Sequence, residues 1–465
     1  MIYTIYITDR YGQEMTIHAQ TGQTIFEAMQ MVHPPVFRGN CGGRGQCLSC
    51  TVFIEELKSY QKACKTIVSS DLHIRLPFAI KHNPEVKILT KEPIVSGTEI
   101  GVAIDVGTTS IGLCMVALSS GTSLCQYTIY NPQAVYGADV ISRIAYAKDP
   151  IHAKMLQTLI WESLTAAIHS MLDAVLLDET VLKHISIAAN TTMIHLLMGY
   201  DTASLGHAPF FSSHLHTIRG SISSLCELSC IPETYHNIQL SIYPGISAFV
   251  GADIVSGAVA CRIGRQKQYD LLIDLGTNGE ILLLNADHGY AGGTACGSAF
   301  DGYVTAGGYS TTLLSRIALL RQRGIIREDG RLMPRYRQDG YSFVDGMTIT
   351  MEMLEQVLKA KAAIRTGIDL LLLTADTTVA DCNVYIAGNF GFHLDLTSAV
   401  AIGMLPAGAN VTVAGNASLN GAVKLLTDPD DALMQADHIV DRTQIHVFAN
   451  DSSFESRYIQ NMKFE

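Results

Sequence analysis

The sequence lacks several features that would assign it to a membrane, a secretory route or a nucleic acid. No stretch approaches the roughly 18 consecutive apolar residues of a membrane-spanning helix. The opening segment, MIYTIYITDR, has neither the basic start nor the apolar centre of a signal peptide, and it reads as a strand. Lys and Arg total 32 against 43 Asp and Glu, with no lysine-rich run to attract a phosphate backbone. We therefore expect a cytoplasmic protein that binds neither membrane nor nucleic acid.

Cysteine, by contrast, is concentrated in one short region. In a reducing cytosol, cysteines grouped this closely bind metal or act in catalysis more often than they form disulfides. The glycines Gly42, Gly43 and Gly45 would let the loop wrap a metal cluster and direct N–H groups at its sulfurs. The four grouped cysteines are Cys41, Cys47, Cys50 and Cys64.

The spacing of these cysteines favours a [2Fe–2S] cluster. Five, two and thirteen residues separate successive cysteines, which is close to the plant-type loop, where the first gap is four. Structural zinc usually takes two Cys-x-x-Cys pairs, and this region has one. We predict all four cysteines as cluster ligands, the last of them in the stretch KACK (62–65). Zinc, and an inert or disulfide role, are the alternatives.

The chain divides into two regions whose patterns of predicted secondary structure differ. Residues 1–92 are predicted to be a small β-rich unit, with a hairpin over residues 2–19, a short helix that opens at Thr24, and a strand from residue 51. A short linker, 93–99, follows. From residue 100 onward, apolar strands alternate with helical segments, which is typical of an α/β architecture.

Two segments of the α/β region repeat each other. AIDVGTTSIGLCMV (103–116) and LIDLGTNGEILLLN (272–285) align without a gap, each an apolar strand, then Asp-x-Gly-Thr, then a second apolar strand. Two copies of one hairpin indicate two similar lobes that face each other across a cleft. We predict a first lobe over 100–250 and a second over 251–465. A shorter echo relates GADVIS to GADIVS, which begin at Gly137 and Gly251.

The repeated Asp-x-Gly-Thr segments have the composition of phosphate-binding loops. Glycine permits a tight turn that leaves backbone N–H groups open to an anion. Carboxylates repel phosphate, so Asp105 and Asp274 are predicted to hold Mg²⁺ or to orient water, with Glu280 as a further candidate. Simple hairpin turns, and a solvent-exposed strand residue for Glu280, are the alternatives. The predicted phosphate-binding residues are Gly107, Thr108, Thr109, Gly276 and Thr277.

A third glycine-rich segment, VYIAGNFGFHLDLTSAVAIGML (384–405), places a strand before a turn and then a helix. Gly388 and Gly391 would let the backbone approach a flat base or a ribose, with Asn389 as a polar contact. A strand–turn–helix needs glycine for its own geometry, so an ordinary connection is the alternative. Because the segment follows two predicted phosphate loops in the sequence, we predict that it binds the nucleoside.

Eight motifs resemble those of the ATP-dependent reductive activators of corrinoid proteins, within the acetate kinase, sugar kinase, Hsp70 and actin superfamily of two-lobed ATPases. The resemblance implies an α+β, ferredoxin-like (β-grasp) N-terminal domain followed by a two-lobed α/β ASKHA ATPase. The motifs are NPQAVYGADVISRI (131–144), NTTMIHLLMG (190–199), GHAPF (206–210), FVGADIVSG (249–257), IDLGTNGE (273–280), GTACGSAFDG (293–302), IAGNFG (386–391) and GNASLNGA (415–422).

The resemblance also implies an activity. Such an enzyme uses ATP, Mg²⁺ and a [2Fe–2S] cluster to pass one electron to a corrinoid protein, reducing Co(II) to Co(I), after an upstream low-potential donor has reduced the cluster. Asn278 would join the threonines at the phosphates. A homodimer is one assembly that the resemblance allows, and the oligomeric state stays open. A nucleotide-regulated electron-transfer or redox-sensing protein without steady ATP turnover is one alternative, and a small-molecule kinase fused to a ferredoxin is another.

The chain departs from the larger activators in two respects. About 35 residues separate Cys64 from the first ATPase strand, where those activators carry a further small domain. The stretch CGSAFD (296–301) replaces a segment that usually contains Pro and Glu. The resemblance is therefore to a shortened member of the family.

Overall fold

A computed structural model describes most of the chain. Cys41, Cys47 and Thr277 lie outside the described residues, as does the side chain of Asn389, so the expectations for them stay predictions. The described residues are 1–8, 14–31, 43, 45, 50–76, 85–90, 94, 97–137, 139–226, 231–276, 278–294, 296, 309–343, 348–392 and 394–464.

The N-terminal unit is a mixed sheet with a helix packed against it. Its elements are β1 (Ile2–Thr8), β2 (Glu14–Gln20), α1 (Ile25–Gln30), β3 (Thr51–Ile54), β4 (Ser59–Lys62) and β5 (Leu72–Arg75). β1 and β2 pair antiparallel, which confirms the predicted hairpin, and the sheet order is β2-β1-β5-β3-β4 with β5 parallel to β1. The predicted helix start is also confirmed, because Thr24 Oγ1 accepts the Glu27 N–H at 3.2 Å and the Glu27 carboxylate accepts the Thr24 N–H at 2.8 Å.

The first sheet of the α/β region has the order β11-β12-β10-β7-β8-β9-β6. Its strands and helices are β6 (Lys87–Ile88), β7 (Ile100–Val106), β8 (Ser110–Ala117), β9 (Ser123–Tyr130), α2 (Val140–Tyr146), α3 (Pro150–Ala174), β10 (Leu182–Ala189), α4 (Thr191–Met198), β11 (Ile218–Ser221), α5 (Ile222–Leu225) and β12 (Gln239–Ile242). Short 3₁₀ helices occupy Pro132–Val135, Glu179–Val181, Ala203–Leu205 and Glu233–Tyr235. β6 comes from the stretch predicted to belong to the N-terminal unit, yet it pairs with β9 at the edge of this sheet.

The second sheet has the order β19-β18-β13-β14-β15-β20. Its strands and helices, with a small separate hairpin of β16 and β17, are α6 (Ala252–Cys261), β13 (Asp270–Leu275), β14 (Gly279–Leu284), β15 (Gly289–Thr294), α7 (Tyr309–Gln322), β16 (Tyr341–Ser342), β17 (Thr348–Ile349), α8 (Met351–Thr374), β18 (Asn383–Ala387), α9 (Gly388–Phe392), α10 (Leu396–Ala401), β19 (Asn410–Gly415), α11 (Ala417–Thr427), α12 (Pro429–Arg442), β20 (Thr443–Ile445) and α13 (Phe454–Asn461). Further 3₁₀ helices occupy Pro334–Tyr336, Val379–Asp381 and Phe448–Asn450.

The two sheets share one core topology. β12-β10-β7-β8-β9 in the first sheet corresponds to β19-β18-β13-β14-β15 in the second, and every pairing has the same direction: parallel, parallel, antiparallel, antiparallel. The repeated Asp-x-Gly-Thr segments are thus the β7–β8 and β13–β14 turns of equivalent hairpins. This correspondence confirms the inference of two similar lobes, whereas their exact limits stay a prediction.

The central strands are buried on both faces, as strands with parallel neighbours usually are. β7 and β13 each have a single residue that is not buried. That partly exposed residue is Asp105 in β7 and Asp274 in β13. A carboxylate at the equivalent position of each strand is therefore directed out of the core.

Helices also join the two halves. α11 follows β19 of the second sheet but packs on β7 and β10 of the first, and against α6. The contact with α6 is close: a Cβ added at Gly421 would lie 2.1 Å from the carbonyl oxygen of Ser256. Among the described residues, no helix is both long and apolar enough to cross a membrane.

Candidate functional site

The equivalent hairpins present carboxylates at equivalent places. Asp105 pairs with Gly112 across β7 and β8, whereas Asp274 pairs with Glu280 across β13 and β14. The second hairpin therefore carries two carboxylates side by side. The predicted catalytic residues Asp105, Asp274 and Glu280 lie close to one another. The charge of each interacts with that of a fourth carboxylate, Asp253.

We call Asp105, Asp253, Asp274 and Glu280 the acidic cluster. Burial, and then the nearby charge of Asp105, raises the pKa of Asp253 to about 7. Burial, and then the charges of Asp253 and Asp105, raises the pKa of Asp274 to about 8. The pKa of Glu280 is also raised well above its usual range by burial and by Asp253 and Asp274, although the N–H of Gly251 donates to its carboxylate at 3.1 Å. Like charges so placed call for a cation or for bound protons.

Asp253 was missed as a site residue by sequence reasoning. It lies in the first turn of α6, where Gly251 passes so close to Asn190 that an added Cβ would be 2.6 Å from the Asn190 Cα. The sequence feature that could have identified Asp253 was the similarity between GADVIS (137–142) and GADIVS (251–256). In the first copy, however, Asp139 caps α2 by accepting the Ser142 N–H at 2.7 Å, so the echo does not carry the same role in both places.

Asp105 is held from the start of α11. The Asn416 side chain donates Nδ2–H to Asp105 Oδ2 at 2.9 Å, and the Ser418 hydroxyl donates to Oδ1 at 3.0 Å. These bonds favour the ionised carboxylate, but burial is the larger influence and the pKa of Asp105 remains raised. The motif that contains Asn416 and Ser418 entered the sequence analysis only as part of a resemblance, and its contact with the first hairpin is a finding of the structure.

The first loop makes a tight turn, and its residue Thr108 is hydrogen-bonded to another segment of the first lobe. A Cβ added at Gly107 would lie 2.6 Å from the carbonyl oxygen of Ser110, so the turn requires glycine. Thr108 is buried, and its hydroxyl accepts a hydrogen bond from Asn190 Nδ2 at 3.2 Å. Thr109 is partly buried. The two predicted phosphate-binding threonines of this loop therefore have different surroundings.

The second loop closes on itself and meets the third glycine-rich segment. The N–H of Gly276 donates to the carbonyl oxygen of Asn278 at 3.1 Å. Gly388 has φ +85°, and an added Cβ would lie 2.5 Å from Asp274 Oδ1. The predicted turn at Gly388 is instead the start of the short helix α9, and Gly391 packs inside that helix against Ile386. The predicted nucleoside segment thus touches the predicted catalytic hairpin.

The acidic cluster suits Mg²⁺ held jointly with a ligand. Among the described residues, no three His, Cys, Asp or Glu side chains are arranged so that they could enclose a metal ion alone. Mg²⁺ usually keeps several waters and binds one or two carboxylates together with substrate phosphates. The mutual raising of the carboxyl pKa values within the acidic cluster is the condition that such a cation would relieve.

The N-terminal unit brings two cysteines together. Cys50 Sγ and Cys64 Sγ are 3.3 Å apart and both residues are buried, although the sulfurs are well beyond the disulfide bond length of about 2.05 Å. Gly43, at φ +82°, lies beside Cys64, since an added Cβ would be in ordinary contact, 3.9 Å from the Cys64 Cβ. Two adjacent buried thiols, with Gly43 beside one of them, fit a cluster held partly by Cys50 and Cys64.

A salt bridge connects β4 of the N-terminal unit to α8, a helix that packs on the second sheet. Lys62 Nζ donates to the carbonyl oxygen of Gly45 at 3.1 Å and to Glu352 Oε1 at 2.8 Å. Glu352 lies in the first turn of α8, which packs along β14 and β15. Gly45 and the hairpin that carries Glu280 are therefore connected through Lys62 and α8.

The fold and the acidic cluster define the class. The two equivalent sheets carry hairpin carboxylates at matching positions. The family region described as the C-terminal domain of RACo, the ASKHA domain, matches residues 310–465, so the C-terminal part of the chain is of the ASKHA type. The region described as the RACo middle region matches residues 100–266. Together the two regions cover more than half of the chain, so the chain belongs to the RACo family.

Two known proteins resemble this chain over most of its length. The curated protein described as corrinoid activation enzyme RamQ, from Eubacterium limosum, is 29% identical over 426 residues, which cover 78% of this chain and 70% of that protein. A solved structure described as a reductive activator for corrinoid, iron-sulfur protein matches with a TM-score of 0.69 and 21% identity, over 99% of this chain and 98% of that chain. At that identity the structural likeness shows the fold.

Proposed function

We propose that this protein is an ATP-dependent reductive activator that passes one electron to a corrinoid protein and reduces its cobalt from Co(II) to Co(I). The observation that carries the proposal is an acidic cluster between two equivalent hairpins in the same chain as a buried cysteine pair. The names of the two related proteins, which refer to corrinoid activation, support the choice of substrate.

The nucleotide would lie across the two hairpins. Asp105, Asp253, Asp274 and Glu280 would face Mg²⁺ and the attacking water, and a carboxyl group whose pKa is near the working pH can accept a proton and release it again. Mg²⁺ would supply positive charge to the phosphates. The residues proposed to bind the nucleotide are Gly107, Thr108, Thr109, Gly276, Thr277 and Asn278 at the phosphates, and Gly388, Asn389 and Gly391 at the nucleoside.

The cysteines would hold the redox centre. A [2Fe–2S] cluster, when bound, supplies the one-electron step. Cys50 and Cys64 are already buried side by side, and Cys41 and Cys47 are proposed as the other two ligands. The bridge from Lys62 to Glu352 offers a physical connection by which nucleotide binding at the β13–β14 hairpin would change how the N-terminal unit sits on α8.

The proposal is tested with anaerobically purified protein, a low-potential reductant and a corrinoid protein in the Co(II) state. We expect Co(I) absorption to appear only with ATP and Mg²⁺, with phosphate release stimulated by the corrinoid protein. Asp274→Asn should retain the visible spectrum of the cluster and lose phosphate release. ATP binding with no phosphate release in the presence of the partner, or equal cobalt reduction without ATP, would refute the proposal.

A further inference from the structure

The backbone carbonyls of the first loop are all hydrogen-bonded on one side. The carbonyl oxygen of Gly107 accepts from Asn131 Nδ2 at 2.8 Å, that of Thr108 accepts from Arg143 Nη2, and that of Thr109 accepts from the Asn131 N–H at 3.0 Å. Two residues from outside the hairpin therefore contact three consecutive peptide groups of the loop.

Both of these residues belong to the lobe interior. Asn131 and Arg143 are each 0% exposed. Arg143 is fixed by further bonds, from Nε to the carbonyl oxygen of Gly137 at 2.8 Å and from Nη1 to Gln133 Oε1 at 3.3 Å. Gly137 must be glycine for this arrangement, because an added Cβ would lie 2.8 Å from Arg143 Cγ. The donors behind the loop are thus held in place by packing.

The direction of the carbonyls sets the direction of the N–H groups. In a planar trans peptide, the C=O of one residue and the N–H of the next point to opposite sides. With the carbonyls of Gly107 and Thr108 turned toward Asn131 and Arg143, the N–H groups of Thr108 and Thr109 point the opposite way, away from these two side chains. N–H groups aligned in this way favour an anion, and the permanently charged guanidinium of Arg143 lies directly behind them.

We propose that Asn131 and Arg143 are positioning residues that orient the peptide groups of the first loop toward the nucleotide phosphates. The inference rests on the proposed function, since it presupposes a nucleotide in the cleft. Neither residue would touch the nucleotide. Their effect would therefore be confined to ligands that carry phosphate, and the binding of the nucleoside at the Gly388 segment should not depend on them.

The test compares ATP with adenosine, both measured by isothermal titration calorimetry in the presence of Mg²⁺. Arg143→Met removes the donors at similar length, and we expect ATP to bind about 10-fold or more weakly, with adenosine binding unchanged. Asn131→Ser removes the amide that donates to the Gly107 carbonyl and to Met193 Sδ, while the backbone N–H stays and the serine hydroxyl can still cap the Gln133 N–H, and ATP should bind about 3-fold to 10-fold more weakly. The second variant serves if the first does not fold.

Arg442→Met is the matched control. Arg442 also holds two backbone carbonyls, those of Ala286 at 2.8 Å and Gly264 at 2.9 Å, but at a place remote from the loop. It should lose thermal stability without a specific loss of ATP affinity. Equal weakening of ATP and adenosine, an unchanged ATP affinity in Arg143→Met and Asn131→Ser, or an equal ATP loss in Arg442→Met would each overturn the inference. Wild-type protein that binds ATP but activates no corrinoid protein would refute the proposed function alone.

Discussion

Asn416 Nδ2 lies 2.9 Å from Asp105 Oδ2, although 311 positions of sequence separate the two residues. Asp105 is the penultimate residue of a central strand of the first sheet, and Asn416 caps the helix that follows the second sheet's edge strand β19 by accepting the Leu419 N–H at 2.9 Å. The contact therefore ties the two lobes at the acidic cluster.

Asn416→Asp tests this relationship directly. Aspartate caps a helix as well as asparagine does, so the start of α11 should be preserved. Its carboxylate would face Asp105 at close range, and two like charges there would repel. We expect ATP turnover to fall by about 100-fold, measured as phosphate release, with a larger loss than in Asn416→Ser, which keeps the cap and removes only the contact.

The control for capping is Asp149→Ala. Asp149 caps α3 by accepting the Ile151 N–H at 2.8 Å, and it has no contact with the acidic cluster. This variant should lose about 1 kcal/mol of stability and keep its turnover. If Asn416→Asp turned over ATP like wild type, the contact with Asp105 would have no part in the reaction.

Much of the fold follows from pattern in the sequence. The gapless repeat around Asp105 and Asp274 predicted two equivalent hairpins, because buried parallel strands read as continuous apolar runs and the repeat preserves them. Thr24 as the first residue of a helical segment predicted α1 for a local reason that needs no tertiary context, and the structure shows the cap there as a full capping box. The membership of β6 in the first sheet could not be predicted, since a two-residue edge strand has no periodicity.

The acidic cluster gives a pH dependence whose sign is fixed. Asp253 and Asp274 have pKa values of about 7 and about 8 in the folded protein, above the value of about 3.9 for an unfolded aspartate. Each therefore binds its proton more tightly when folded, which stabilises the protein below pH 4. That contribution is lost as pH rises through 7 to 8. We expect the Tm in EDTA, without nucleotide, to fall by about 3 °C or more from pH 6 to pH 9.

Asp274→Asn isolates this effect. Asparagine resembles the protonated carboxyl group, so the variant should have a shallower fall of Tm with pH than wild type. All other side chains are the same in the two proteins, so their contributions cancel to a first approximation in the comparison. Parallel Tm curves for the two proteins would mean that Asp274 is ionised throughout this range.

Gly388 is predicted to be irreplaceable. Its φ of +85° disfavours any other residue, and an added Cβ would lie 2.5 Å from both Asp274 Oδ1 and the Leu275 carbonyl oxygen. Gly388→Ala should lose at least about 2 kcal/mol of stability and most of its ATP turnover. Gly408→Ala is the matched control, because Gly408 has φ +84° with nothing within 4 Å of an added Cβ. Full turnover in Gly388→Ala would show that the segment can move away from the catalytic hairpin.

The site was less predictable than the fold because its parts come from distant segments. Asp253 joins the acidic cluster through the start of α6, and Asn416 joins through the start of α11. A helix N-terminus in the sequence shows where a cap lies but not which strand end it meets. The proximity of Cys50 and Cys64 was easier to anticipate, since they flank a single hairpin: Cys50 directly precedes β3 and Cys64 follows β4 by two residues.

Cys64 is the cysteine whose role can be tested most sharply. Its sulfur is 3.3 Å from that of Cys50, which fits two thiolates directed at one cluster. Anaerobically purified protein should contain about two iron and two sulfide per chain. Cys64→Ala should lose most of the visible absorption, whereas Cys226→Ala, which removes a buried thiol beside Met198 in the first lobe, should keep it. An unchanged spectrum in Cys64→Ala would exclude it as a ligand, and protein that binds zinc alone would replace the redox centre with a structural site.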